Sequence, residues 1–285
     1  MIAEEKIDHL EKLYFNQAHE QIQKYYATLG SDFSGNTPKS NELVGLLTFP
    51  NSGTSWFLRF SSNVTGIHSH TVYDGEAERE NGIKNRDVFM LRGNRLSSER
   101  PPNPDEPALV KSHVSLYDGY STLDVDYNNF DSLIDEWMNH LPMNANRFIR
   151  LVRNPFDNLR ARYHLYLNSY VDSSGKSKQS FRDWFKVDMR RYLIWHTCCN
   201  RLAKKSPLIT INYADLLENT HFEFTRALQF AGFAVEPKQV ERVYEKLPPK
   251  YKEVNQVPVH LKYYDEDDIS WVADELQSWM SMSII

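Results

Sequence analysis

The sequence predicts an α/β fold, three α/β/α layers around a central, mostly parallel sheet, and three observations carry that prediction. Short apolar runs at residues 43–49, 108–112, 147–152 and 207–212 have the length and composition of buried strands. Stretches with helical periodicity alternate with them, as they do where helices cover both faces of a parallel sheet. The first run, Leu43-Val44-Gly45-Leu46-Leu47, leads directly into a turn of small hydroxylated residues and then into an amphipathic stretch.

In chain order, residues 3–29 read as a helix with Ile7, Leu10, Leu13, Tyr14 and Ile22 toward one side. Residues 30–40, rich in Ser, Gly, Asn and Pro, connect it to the first strand. A helix is expected at 55–63. Residues 66–107 are polar, with a strand at 88–91 and a non-helical Arg100-Pro101-Pro102-Asn103-Pro104. Residues 130–140 are helical. Pro155 opens a helix at its first turn, where the missing N–H costs nothing, and that helix runs to Tyr170. Helices at 180–204, 221–230 (stopped near Gly232), 237–247 and 265–280 follow, and Asp265, Glu266, Asp267 and Asp268 suit the N-terminus of the last. There are no repeats, low-complexity segments or linkers. The expectation is one domain over 1–285, with a helix and loop at 1–42, a core at 43–233 and a helical segment at 234–285.

With 285 residues, 41% hydrophobic and 25% charged, the composition is that of a soluble globular protein. The N-terminal residues lack a signal pattern, and no apolar run approaches the roughly 20 residues that span a bilayer. The only cysteines, Cys198 and Cys199, are adjacent, which disfavours an intrachain disulfide and a metal cage. A cytoplasmic setting with no membrane partner is the expectation. The net charge of −5 hides an asymmetry: residues 147–205 carry 14 basic and 4 acidic side chains, and the remainder 19 and 34. A basic block in an acidic chain points to a local anion site rather than to a nucleic-acid polymer, although most of these side chains are expected simply to solvate helix faces.

Gly175-Lys176-Ser177 has the tail of a Walker loop, but Tyr170 stands where its first glycine belongs, so it reads as a surface loop. Residues 48–56 have the strand–loop–helix setting without the Walker spacing. Backbone N–H groups and hydroxyls at a helix N-terminus suit a phosphate, and Trp56 offers a flat surface for a base. The plainer alternative is a strand-to-helix turn with a core tryptophan.

That segment, Thr48-Phe49-Pro50-Asn51-Ser52-Gly53-Thr54-Ser55-Trp56, resembles the phosphate loop of sulfotransferases that use 3′-phosphoadenosine-5′-phosphosulfate (PAPS), typically Thr-Tyr-Pro-Lys-Ser-Gly-Thr-Thr-Trp. Eight of its nine positions are identical or close. Arg150-Leu151-Val152-Arg153-Asn154-Pro155-Phe156-Asp157-Asn158-Leu159 resembles the family's 3′-phosphate motif, which implies that Arg153 grips that phosphate with its fork of donors. Val110-Lys111-Ser112-His113 looks like the Lys-Thr-His segment, with His113 as general base and Lys111 offsetting charge on the departing phosphate. Ile209-Thr210-Ile211-Asn212-Tyr213-Ala214-Asp215-Leu216 is similar to the strand whose tyrosine lies near the adenine, here Tyr213. The resemblance covers about residues 43–233 and implies a P-loop-like nucleotide fold.

It also departs in three places. Asn51 replaces the usual loop lysine, and Ala161 replaces the serine that reaches the 3′-phosphate, with Arg160 or Arg162 as substitutes. The late Arg-Lys-Gly loop is missing, with Lys250 and Lys252 the nearest basic residues. The implied activity is transfer of a sulfuryl group from PAPS, without a metal, to a hydroxyl or amine, leaving 3′-phosphoadenosine 5′-phosphate (PAP). The acidic remainder of the chain disfavours a polyanionic glycan and favours a small neutral or cationic acceptor, such as an alkaloid-type metabolite. Residues 66–107 and 248–264 are expected to shape its pocket. An ATP-dependent P-loop kinase of small molecules and a nucleotide-binding protein without transfer activity stay open as alternatives.

Overall fold

The fold comes from a computed structural model that describes residues 2–29, 43–67, 69–71, 88–92, 95–96, 107–112, 145–169, 181–249, 258 and 260–282. The strands are β1 (Leu43–Thr48), β2 (Ser69–Thr71), β3 (Val88–Arg92), β4 (Arg95–Leu96), β5 (Ala108–Ser112), β6 (Ala145–Val152) and β7 (Leu208–Asn212). The helices are α1 (Ile2–Leu13), a π-helical segment (Tyr14–His19), α2 (Glu20–Ala27), α3 (Thr54–Thr65), α4 (Pro155–Ser169), α5 (Phe181–Ala203), α6 (Tyr213–Glu218), α7 (Thr220–Phe230), α8 (Pro237–Lys246), a 3-10 turn (Leu261–Tyr263) and α9 (Glu266–Met282). Two compact units result, one of residues 1–30, 153–200 and 253–285, the other of residues 31–152 and 201–252.

The second unit is built on the sheet, in the order β4-β3-β2-β5-β1-β6-β7. Every neighbouring pair is parallel except β3 with β4. The α/β class with a mostly parallel sheet is therefore as the sequence predicts, and its four predicted apolar strands are the contiguous run β5-β1-β6-β7, which ends at the sheet edge. Leu46 and Leu47 point to opposite faces of β1, and both are fully buried. Gly45 faces Phe148 of β6, and a Cβ there would come within 2.7 Å of Phe148 Cε1. Behind β1, Phe57 and Phe60 of α3 both stack on Phe224 of α7, at 5.0 and 4.0 Å between ring centres. Burying each such side chain contributes about 1.5–3 kcal/mol.

The first unit is helical. Trp279 Nε1 of α9 donates to Thr197 Oγ1 of α5 at 2.8 Å, and Tyr264 OH, just before α9, donates to Phe156 O of α4 at 2.7 Å. The helix expected over 3–29 contains the π segment, whose first residue Tyr14 is buried edge-on to Phe156.

The elements that the sequence reading misses are short. β2 is Ser69-His70-Thr71, with no apolar residue to mark it. In α6, six residues follow Asn212, whose Oδ1 caps them by accepting the Ala214 N–H at 3.0 Å. The loop at 30–40, the non-helical 100–104, the helix expected at 130–140 and the Gly175-Lys176-Ser177 loop lie outside the described residues. Among the described residues, no helix is long and apolar enough to cross a membrane.

Candidate active site

Between the end of β1 and the start of α3 the backbone turns twice through the left-handed region, at Asn51 (φ 67°) and Gly53 (φ 90°). Besides glycine, asparagine is among the few residues that enter that region readily. Ser52 N–H closes the turn on Phe49 O at 3.2 Å. Thr54 Oγ1 donates to Thr48 Oγ1 at 2.9 Å, tying the helix start to the strand end. Gly53 is the N-cap of α3 and brings no side-chain acceptor to the first-turn N–H groups, and that turn holds no acidic residue. Such a helix end carries about half a positive elementary charge on outward-facing donors, so its complement is an anion.

Tyr213, the first residue of α6, lies against this loop: a Cβ on Gly53 would come within 2.6 Å of Tyr213 Cδ2. Trp56 meets Tyr213 edge to face at 6.3 Å and Phe224 at 5.3 Å, and its Nε1 donates to Leu247 O at 3.4 Å. Both rings are partly buried against the core of the sheet unit. Ser55 is exposed. Lys111 is 4% exposed on β5, paired with Leu46 of β1 and on the same strand face as Leu109. The structure therefore brings residues 51–56 and Tyr213 together. His113, Lys250 and Lys252 lie outside the described residues.

In the helical unit, Arg153 follows β6 directly. Asn154 Oδ1 accepts the Phe156 N–H at 3.0 Å, its Nδ2 donates to Tyr14 OH at 2.9 Å, and Tyr192 OH donates to Arg153 O at 2.8 Å. These bonds hold the backbone around Arg153 from two directions. Arg160 and Arg162 have different fates. Arg162 is 5% exposed and forks onto Asp188, at 2.6 Å from Nε and 3.4 Å from Nη2. Arg160 stacks its guanidinium on Tyr263 at 4.0 Å, Phe181 at 4.8 Å and Tyr163 at 5.5 Å.

The backbone N–H of His260 donates to Asp157 Oδ1 at 2.8 Å. Burial pushes the His260 imidazole below its usual pKa; Asp157 opposes that shift, and Arg153, His164 and Arg160 add to it. Burial, then Arg160, lowers His164 in the same way. His164, His260 and Tyr263 escape the sequence reading. Arg153, Asp157, Arg160 and His164 do recur at helical spacing, but His260 reaches Asp157 from 103 residues further on and leaves no local pattern.

A strand, a glycine-hinged loop and a helix that opens without a side-chain cap define a phosphate-binding α/β protein. A family model described as "Sulfotransferase domain" matches residues 42–270, and the chain belongs to that family of PAPS-dependent sulfotransferases. This membership sets aside the kinase reading. No curated protein matches the chain in sequence. Among solved structures, retinol dehydratase in complex with androsterone and the inactive cofactor PAP is 14% identical with a TM-score of 0.50, over 92% of this chain and 85% of that one. A mouse sulfotransferase complexed with PAP is 13% identical with a TM-score of 0.43, over 90% and 80%. A sulfotransferase from Mycobacterium avium is 12% identical with a TM-score of 0.44, over 96% and 84%. At 14% identity the likeness is one of fold.

Proposed function

We propose that this sulfotransferase moves a sulfuryl group from PAPS to a hydroxyl or amine of a small neutral or cationic metabolite, of which an alkaloid-type compound is one example. The observation that carries the donor assignment is the N-terminus of α3, opened by Gly53 with no side-chain acceptor on its first-turn N–H groups. The 5′-phosphate is assigned to Asn51, Ser52, Gly53, Thr54 and Ser55; since the Ser52 N–H closes the turn on Phe49 O, the part of Ser52 falls to its hydroxyl. Because the Thr54 hydroxyl already donates to Thr48, the backbone N–H is the donor it has left for the phosphate. Trp56 and Tyr213 are assigned to the adenine, and Arg153 to the 3′-phosphate, with Lys250 and Lys252 as later basic contributors.

Bound PAPS supplies a sulfuryl group activated by a phosphate leaving group. The protein's part is alignment and charge stabilisation. His113 accepts the proton that the acceptor's O–H or N–H loses as its new bond to sulfur forms. Lys111 offsets the negative charge that collects on the phosphate oxygen as the old S–O bond breaks. Asn51 can donate hydrogen bonds but brings no charge, which leaves more of that task to Lys111.

The test is transfer of labelled sulfate from PAPS to a panel of acceptors, read by mass spectrometry as products gaining one sulfonate. Neutral and cationic acceptors are expected to react and polyanionic glycans to remain unlabelled; the reverse pattern would overturn the acceptor assignment. His113→Ala is expected to lower transfer by about 10²–10⁴ while PAP affinity stays unchanged. A fully active His113→Ala would remove the base assignment.

A further inference from the structure

We infer that Arg153, the Asp157–His164 face of α4 and the turn from His260 to Tyr263 form one anion-binding surface, on which Arg160 and His260 supply the 3′-phosphate contacts that Ala161 cannot make. The inference rests on the reading of PAPS as donor, and it concerns which residues of this chain recognise the phosphate on the ribose.

The first argument is placement. Asp157, Arg160 and His164 are separated by three and four residues, the spacing that puts side chains on one helix face, and Arg153, two residues before the helix, acts electrostatically on His260 beside it. The turn is fastened to that face by the His260 N–H on Asp157 Oδ1 at 2.8 Å and by Tyr264 OH on Phe156 O at 2.7 Å. The rings of His260 and Tyr263 lie 6.4 and 6.1 Å from that of His164. His260 is thus anchored beside the arginines by its own backbone.

The second argument is charge. Among the described residues, two arginines and two imidazoles share this surface with a single carboxylate, Asp157, one oxygen of which is taken by the His260 N–H. Arg153, His164 and Arg160 each disfavour protonation of His260. The two arginine charges therefore dominate this surface, to which a phosphate is the complement, and a neutral imidazole can still donate one N–H to it.

The third argument is what Arg160 has left to give. Its guanidinium lies over Tyr263 and Phe181 through its faces, which leaves the in-plane donors for hydrogen bonds. Its Nε is buried and meets no acceptor among the described residues. Arg162, two residues on, is by contrast committed to Asp188. Ala161 has no hydroxyl, so the side chains available for a phosphate on this helix are those of its neighbours.

The experiment compares PAP with adenosine 5′-monophosphate (AMP), which shares the adenine and 5′-phosphate but lacks the 3′-phosphate, by calorimetric titration. Wild type is expected to prefer PAP. Arg160→Gln is expected to reduce the PAP-to-AMP preference by about tenfold or more, the loss of one charge-assisted hydrogen bond. His260→Gln is expected to reduce it severalfold, and Arg160→Lys to fall between wild type and Arg160→Gln because the fork is lost. AMP affinity is expected to stay at the wild-type value in all three. A preference left intact by both Arg160→Gln and His260→Gln would overturn the inference alone. So would equal losses of AMP and PAP binding, which would mark the residues as structural. A wild type that binds PAP no better than AMP would instead remove the reading of PAPS as donor, and this inference with it.

Discussion

In the proposed reading, the loop at residues 48–56 and the stretch from Arg153 to His164 answer the same chemical need, a phosphate, by opposite means. The loop is continuous in sequence and works through its backbone: two left-handed residues, a glycine N-cap and the first N–H groups of α3. The α4 face works through side chains and is completed by a turn 103 residues away. A backbone site tolerates a changed side chain, and so Asn51 can stand where the family has lysine. A side-chain site has no such reserve. With Ala161 in place of serine, the missing contact is assigned by inference to Arg160, next to it in sequence, and to His260, held on Asp157 one turn away.

Four measurements would break or sharpen this contrast. Gly53→Ala has the largest expected effect. The residue needs φ 90°, and a Cβ would strike the Tyr213 ring. A loss of about 2 kcal/mol or more of stability is expected, read by thermal unfolding, with PAP and AMP binding lost together. Wild-type affinity in that variant would mean that the loop backbone is not the cradle. Arg153→Gln should separate the two regions, weakening PAP by about 10–100-fold and leaving AMP unchanged. Equal weakening of both would place Arg153 in general architecture instead.

Asn51→Ala should cost about 1 kcal/mol of stability, since alanine enters the left-handed region less readily, with PAP binding changed by only a few-fold. A collapse of binding would show that the Asn51 side chain, not the backbone, carries this end of the site. The smallest effect expected is on pH dependence. Burial holds the imidazoles of His19, His164 and His260 below the usual pKa of 6.5, so the unfolded chain protonates first as pH falls through that value. The free protein should therefore lose stability between about pH 7.5 and 5.5. PAP should reduce the loss, because a phosphate beside His164 and His260 favours their charged forms. An identical decline with and without PAP would place the phosphate elsewhere.

The sequence makes the two regions unequally legible for the same reason. The central strands announce themselves as apolar runs because parallel strands are buried on both faces. The loop is legible because its residues are contiguous and follow a strand directly. The structure adds what a motif cannot: Asn51 reads in sequence only as a missing charge, whereas its φ of 67° gives it a conformational role. Tyr213 is legible as an aromatic at a strand end, but its contact with Gly53 is made by the fold. Arg160 and Arg162 look interchangeable in sequence and are separated only by Asp188 and Tyr263, partners brought in from other elements. β2 stays hidden because three polar residues carry no period at all.

The central claim is that this sulfotransferase binds a nucleotide with phosphates at both the 5′ and the 3′ positions. Titration of the wild-type protein with PAP, AMP and magnesium–ATP tests it most directly. The account predicts micromolar or tighter binding of PAP that is indifferent to magnesium, weaker binding of AMP and weaker still of magnesium–ATP. Tighter binding of magnesium–ATP, or no preference for PAP over AMP, would contradict it.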